Sequence, residues 1–188
     1  MYIDGDPVLH VVDEATRFQA ARWLRNLSAK HTWETLRHCW IDTYTGPPDY
    51  IFHDAGKNFA SREFRQYAAV MATVTKGVPV EAHWSIGIVE RAHPLLRRAY
   101  KIIAEELKDE SISKNLILQM AVKSVNDTAG PDGLIPTLLV FGAPMGKATK
   151  VERGVHIGKL NTARVLWKKA GACPDAPGCA RMMIIMQV

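Results

Sequence analysis

The chain has 188 residues, 47% of them hydrophobic and 23% charged, a make-up that supports one substantial globular core. Its formal charge of +5 is unevenly spread: residues 1 to 145 hold 16 Lys/Arg against 17 Asp/Glu, while residues 146 to 188 hold eight basic residues against Glu152 and Asp175. With no apolar run of 18 residues, no signal-peptide pattern, and only Cys39, Cys173 and Cys179, the sequence argues against membrane-spanning and disulfide-framework classes and for a reducing, intracellular setting.

Taken in chain order, Val8–Val12 is a β-branched run preceded by the turn-prone Asp4-Gly5-Asp6-Pro7, so it reads as a strand entered from a hairpin. Phe18 to Leu24 reads as its continuation or partner. Ser28 is a candidate N-cap for a helix in which Trp33, Leu36, Trp40, Ile41 and Tyr44 recur at helical spacing until Gly46-Pro47-Pro48. Tyr50–Phe52 reads as a short buried strand that delivers His53-Asp54 to a loop containing Gly56, with a second helix following from about Ser61 to Thr73.

Beyond that helix, Gly77 to Val80 reads as a short strand at most, and Ala82 to Gly87 as a loop holding His83, Trp84 and Ser85. A long helix then runs to about Asp109. Pro94 requires that this helix either begin near His93 or kink there, because proline is comfortable only in a first turn. Another helix spans Asp109 to Val125, and Asn126 to Pro136 is a loop rich in Gly, Pro and Asp. The alternation of strands and helices implies an α/β layer fold with helices on both faces of a sheet.

Two carboxylates stand out: Asp54, in Ile51-Phe-His-Asp-Ala-Gly-Lys-Asn-Phe59, and Glu90, in Trp84-Ser-Ile-Gly-Ile-Val-Glu-Arg91. Taken singly, an Asp before a glycine loop is often a turn residue, and a Glu at a helix start often only complements the dipole. Taken together, they suit the chemistry of phosphodiesters, in which hard cations held by carboxylate oxygens clamp the attacking and leaving oxygens.

The stretch Asp54-Ala-Gly-Lys-Asn-Phe59, followed after 35 intervening residues by Glu90-Arg91, resembles the second and third acidic motifs of retroviral and LTR-retrotransposon integrases, with their D, D-35-E pattern. Asp13-Glu-Ala-Thr-Arg-Phe18 resembles the second-strand motif of these cores. Asn126 to Pro136 and Val140-Phe-Gly142 resemble the closing segment in fungal retroelement integrases. The resemblance covers residues 1 to 142 and leaves residues 143 to 188 as a basic tail, irregular or out of family.

The resemblance implies a ribonuclease-H-like mixed sheet flanked by helices on both faces. It also implies Mg2+ or Mn2+ held by Asp54 and Glu90, DNA ends and target DNA as partners, multimeric action, no membrane, and a nuclear location for a working element. On a helical wheel Arg97 and Lys101 fall within about 20 degrees of Glu90, so with Arg91 they are candidate DNA-backbone contacts. Family spacing places a first acid just before Met1, with the opening strand cut to a stub whose neighbours lack partners, and with no His/Cys zinc module upstream. Asp4 and Asp13 remain as substitutes, but neither fits the spacing, and Asp4 would lie on the opposite face of the strand.

His10, His53, His83 and His93 lack a compact zinc spacing and read as structural, as does Trp84. Three functions follow: a metal-dependent DNA-cleaving and strand-transferring integrase core, an inactive nucleic-acid-binding remnant, or a host nuclease with a ribonuclease-H-like core.

Overall fold

The computed structural model describes residues 1–54, 56–78, 83–142 and 183–187. Asp4 and Gly5 both adopt positive φ, 50° and 85°, and make the two-residue turn that joins β1 (Tyr2–Ile3) to β2 (Asp6–Asp13) in an antiparallel hairpin. At the far end of β2, the Asp13 carboxylate accepts hydrogen bonds from the backbone N–H and the hydroxyl of Thr16, at 2.8 and 2.5 Å. That turn brings β3 (Gln19–Trp23) back antiparallel along β2, so Phe18–Leu24 supplies the partner rather than a continuation.

The remaining strands are β4 (Tyr50–His53), β5 (Val74–Gly77) and β6 (Met183–Gln187). Among the described residues they form a six-stranded mixed sheet in the order β3, β2, β6, β4, β5, with β1 lying end to end with β6 on the same edge of β2. β6 is antiparallel to β2 and parallel to β4, and β4 is parallel to β5. The tail therefore contributes a central strand: Ile184, Ile185 and Met186 are at most 1% exposed. β2 is left without the bare edge that a stub-like opening strand implied, because β6 pairs with His10 to Asp13 and Met1 exchanges two backbone hydrogen bonds with Val8.

Helices cover both faces, which is the predicted ribonuclease-H-like architecture. On one face, Leu9, Val11, Ile51, Ile184 and Met186 pack against Trp33 and Leu36 of α1 (Ala29–Leu36), Phe59 of α2 (Lys57–Ala60) and Phe64 of α3 (Arg62–Val70). On the other, Val8 and Ala21 meet Leu96 of α4 (His83–Glu106) and Leu118 of α5 (Lys114–Asn126), while Val12 and Ile185 meet Val89 and Ala92 of α4. A short α6 (Pro136–Phe141) closes the described core.

The caps follow local chemistry, since Ser28, Ser61 and Ser113 each accept a hydrogen bond from an N–H in the first turn. The outer edge of β3 is sealed by α5: Asn126 exchanges two 2.8 Å hydrogen bonds with the Gln19 backbone, and Gln119 donates to the Ala21 carbonyl at 2.9 Å.

Three expectations need correction. The segment from His83 to Gly87 is helical rather than looped, and α4 runs unbroken through Pro94, so Glu90 is an interior helix residue. Burial of Val89, Ala92 and Leu96 along one stripe outweighs the proline's missing N–H. The fifth strand is Val74–Gly77 rather than Gly77–Val80, of which residues 79 and 80 lie outside the described part. After Leu36 the first helix widens, with i to i+5 hydrogen bonding such as Gly46 N–H to the Ile41 carbonyl, in place of a uniform α-helix.

Candidate functional site

Alternation along β4 separates His53 from Asp54. His53 is buried and stacks on Phe59 at 5.3 Å, while Asp54 is half-buried on the opposite side of the strand. The His53 ring donates from Nδ1 to the Asp54 carbonyl at 2.6 Å, and Asp54 Oδ1 accepts the Gly56 N–H at 3.2 Å, which fixes both ends of the residue. Space at Gly56 is tight, because a Cβ there would lie 2.8 Å from Asn58 Oδ1 and 3.0 Å from Asp54 Oδ1 and would push on both side-chain ends. Gly87 meets no such crowding. Burial raises the Asp54 carboxyl above its ordinary value, opposed by the Gly56 N–H and by the positive charge of His53 and the Met1 amino group.

Strand register extends the site across the sheet. His53 pairs with Met186, so Asp54 falls beside Gln187, and Gln187 in turn pairs with His10 on β2. Register neighbours share a face, about 4.8 Å apart from strand to strand, so His10, Gln187 and Asp54 form one row. The row lies on the α4 side: the rings of His10 and of His93 on α4 lie 5.1 Å apart, tilted by 35°, and Ile185 and Phe52, two residues before Gln187 and Asp54, pack in one cluster with Val89. Burial, then the other histidine, lowers His10 to about 3, and burial, then the Met1 amino group, lowers His93 to about 4. Both rings are neutral at ordinary pH.

Glu90 follows Val89 on α4 and is exposed, one turn before His93 on the same side of the helix. Asp54 thus follows β4 on the side of the sheet that α4 covers, and Glu90 lies exposed on α4 itself. Arg91 and Lys101 are exposed, and Arg97 donates from Nε to the Tyr2 carbonyl at 3.1 Å, which ties it to β1 beside the row. Asp4 sits in the hairpin turn and Asp13 is buried on its Thr16 hydrogen bonds, away from the row. The side chains of His83 and Trp84 lie outside the described part.

Among the described residues, no three His, Cys, Asp or Glu side chains gather closely enough to hold a metal ion. The side-chain oxygens here are nonetheless of the hard kind that suits Mg2+ or Mn2+: the Asp54 carboxylate and beside it Gln187 Oε1, buried and without a partner among the described residues, and on α4 the exposed Glu90 carboxylate. Sequence reasoning did not find Gln187, and it set His10 and His93 aside singly. Only the register of three strands and the crossing of α4 join them. No described helix is long and apolar enough to cross a membrane.

No protein-family model matches the sequence, and no curated protein does. Solved structures match by fold. The catalytic core domain of BIV integrase superposes with a TM-score of 0.63 at 17% identity, over 76% of this chain and 90% of that one. The HTLV-2 integrase catalytic core domain, in a trimeric form with magnesium, gives 0.60 at 18% identity, over 74% and 89%. A chain of the simian T-cell lymphotropic virus intasome, in complex with the PP2A regulatory subunit B56 gamma, gives 0.63 at 19% identity, over 80% of this chain and 54% of that one. The fold is that of the ribonuclease-H-like integrase cores.

Proposed function

We propose that the protein is an integrase-like polynucleotidyl transferase that binds DNA and, with Mg2+ or Mn2+, cleaves a DNA end and joins it to target DNA. The observation that carries this reading is the fold shared with viral integrase cores, in which Asp54 follows β4 and Glu90 sits on α4, the helix that covers that side of the sheet. The intervening 35 residues match the acidic spacing of those enzymes and of their LTR-retrotransposon relatives.

Asp54 and Glu90 would hold the cation, which when bound activates the attacking oxygen and offsets charge at the phosphorus. The chain itself holds Asp54 in place through the Gly56 N–H and the His53 ring. Arg91, Arg97 and Lys101 bind DNA phosphates and set its register without reading sequence. Arg97, steadied by the Tyr2 carbonyl, orients the strand nearest the row. Self-association is part of the reading, in keeping with the trimeric form and the intasome among the structural neighbours.

A strand-transfer assay on a labelled DNA end tests the proposal. Joined product is expected with Mn2+ and is expected to vanish in Asp54→Asn and in Glu90→Gln. Product that survives both substitutions overturns it. A second reading, a nucleic-acid-binding protein that keeps the fold without the chemistry, is favoured by one observation: a neutral amide, Gln187, stands beside Asp54 where a further acid would strengthen cation binding. Salt-dependent DNA binding with no metal-dependent product would select it.

A further inference from the structure

We infer that Tyr50, Phe52 and Lys76 form a stacking surface for an unpaired DNA strand, which lays that strand along β4 toward Asp54. The inference deepens the proposed function and rests on it for the identity of the polymer. Along β4, side chains two residues apart share a face, so Tyr50, Phe52 and Asp54 stand on the α4 side of the sheet at steps of about 6.6 Å. The Tyr50 and Phe52 rings lie 6.4 Å apart, tilted by 32°, and both are half-buried rather than sealed in the core.

In the parallel register Val74 lies beside Tyr50 and Lys76 beside Phe52, both on β5, the last strand of the sheet among the described residues. Val74 is 49% exposed. Lys76 is exposed, with its Nζ 4.5 Å from the Tyr50 ring centre and 5.7 Å from that of Phe52. No carboxylate forms an ion pair with Lys76 among the described residues, so a positive charge rests on the ring faces without a counter-charge.

Rings at strand spacing with a cation over them fit a polymer of stacked bases and phosphates. Bases stack on aromatic side chains whatever their sequence, but a duplex hides the base faces, so these rings call for an unpaired strand. Lys76, on its flexible stem, moves from the rings to a phosphate as a base takes its place. A lysine on an edge strand also discourages pairing between copies, yet that role needs no aromatic rings beneath it. Because the line of side chains ends at Asp54, a strand held on the rings brings its backbone to that carboxylate.

The test is binding of the full chain to labelled oligothymidylate and to a blunt DNA duplex, in EDTA, followed by fluorescence anisotropy. Tyr50→Leu and Phe52→Leu, which keep apolar bulk without a ring, are each expected to weaken oligothymidylate binding about fivefold or more and to leave duplex binding unchanged, while Tyr50→Phe binds like the unmodified protein. Lys76→Gln is expected to lower the salt slope on the single strand by about 0.7, and Lys76→Arg to restore it. Ultraviolet crosslinking of the unmodified protein to an iodouracil-substituted strand is expected to mark Tyr50 or Phe52, a readout that does not depend on how any variant folds. Oligothymidylate affinity unchanged in both leucine variants, equal losses on strand and duplex, or crosslinks found only elsewhere overturn the inference and leave the function reading to its strand-transfer assay. Failure of the unmodified protein to bind either DNA overturns both.

Discussion

A central strand that is the last described element of the chain makes a sharp prediction about stability. Ile184 and Met186 point into the core under α1 and α3, Ile185 points into the core under α4, and all three are at most 1% exposed. A strand at a sheet edge, or one covered on a single face, alternates between sensitive and tolerant positions, whereas a strand buried on both faces does not. Alanine at each of the three positions is therefore expected to cost about 2–5 kcal/mol, the usual range for truncating a buried Ile or Met with a residual cavity. For a chain of this size that corresponds to roughly 4–20 °C in Tm. Val70→Ala, at a position 87% exposed, is the control and should stay within about 0.5 kcal/mol. Thermal and urea unfolding followed by circular dichroism provide the assay. If Ile185 alone, or Ile184 and Met186 alone, proves sensitive, or if all three behave like Val70, then β6 does not lie between β2 and β4 and the His10–Gln187–Asp54 row dissolves with it.

Acid should destabilise the fold below neutrality. His10 ionises near pH 6.5 when unfolded but only at about 3 when folded, so its contribution is complete above about pH 6.5 and falls away toward pH 3 by about 1.4 kcal/mol per unit. His93, lowered to about 4, acts in the same direction. Urea midpoints at pH 7, 6 and 5 should fall in that order in the wild type and less steeply in His10→Gln, and a flat profile contradicts the buried neutral rings. Asn126→Ala should cost about 1–3 kcal/mol for each Gln19 backbone group it orphans, measured as urea stability, and a loss under about 0.5 kcal/mol would mean that water replaces both bonds. Gly56→Ala should weaken Mn2+ binding severalfold by pushing on Asp54 and Asn58 while moving Tm little, because the crowded atoms are side-chain ends, and unchanged Mn2+ affinity counts against that crowding.

What the sequence disclosed and what it withheld divide along the range of the forces involved. Ser28 and Ser61 announce their helices because a cap is a contact across three residues, and Asp4-Gly5 announces its hairpin because two positive φ angles are a local demand. The candidate pair Asp54 and Glu90 was proposed for a related reason, since a fixed separation along the chain is a linear pattern. Pro94 left open a helix start near His93 or a kink within a longer helix, and the helix continues through it because Val89, Ala92 and Leu96 bury one stripe across it. β6 was hidden more thoroughly. A five-residue apolar run is compatible with strand or helix, and nothing near Met183–Gln187 specifies partners at His10 and His53, more than 130 residues away. The same distance explains why Gln187 escaped notice, as a glutamine near the end of a basic tail has no chemistry of its own to declare. Its significance comes from register alone: shifted by one residue, Gln187 would face the core under α1 and α3, and Asp54 would have an apolar neighbour. The placement of Gln187 beside Asp54 is thus encoded by the hydrophobic pattern of β6, Ile184 and Met186 to one side and Ile185 to the other, which locks the register.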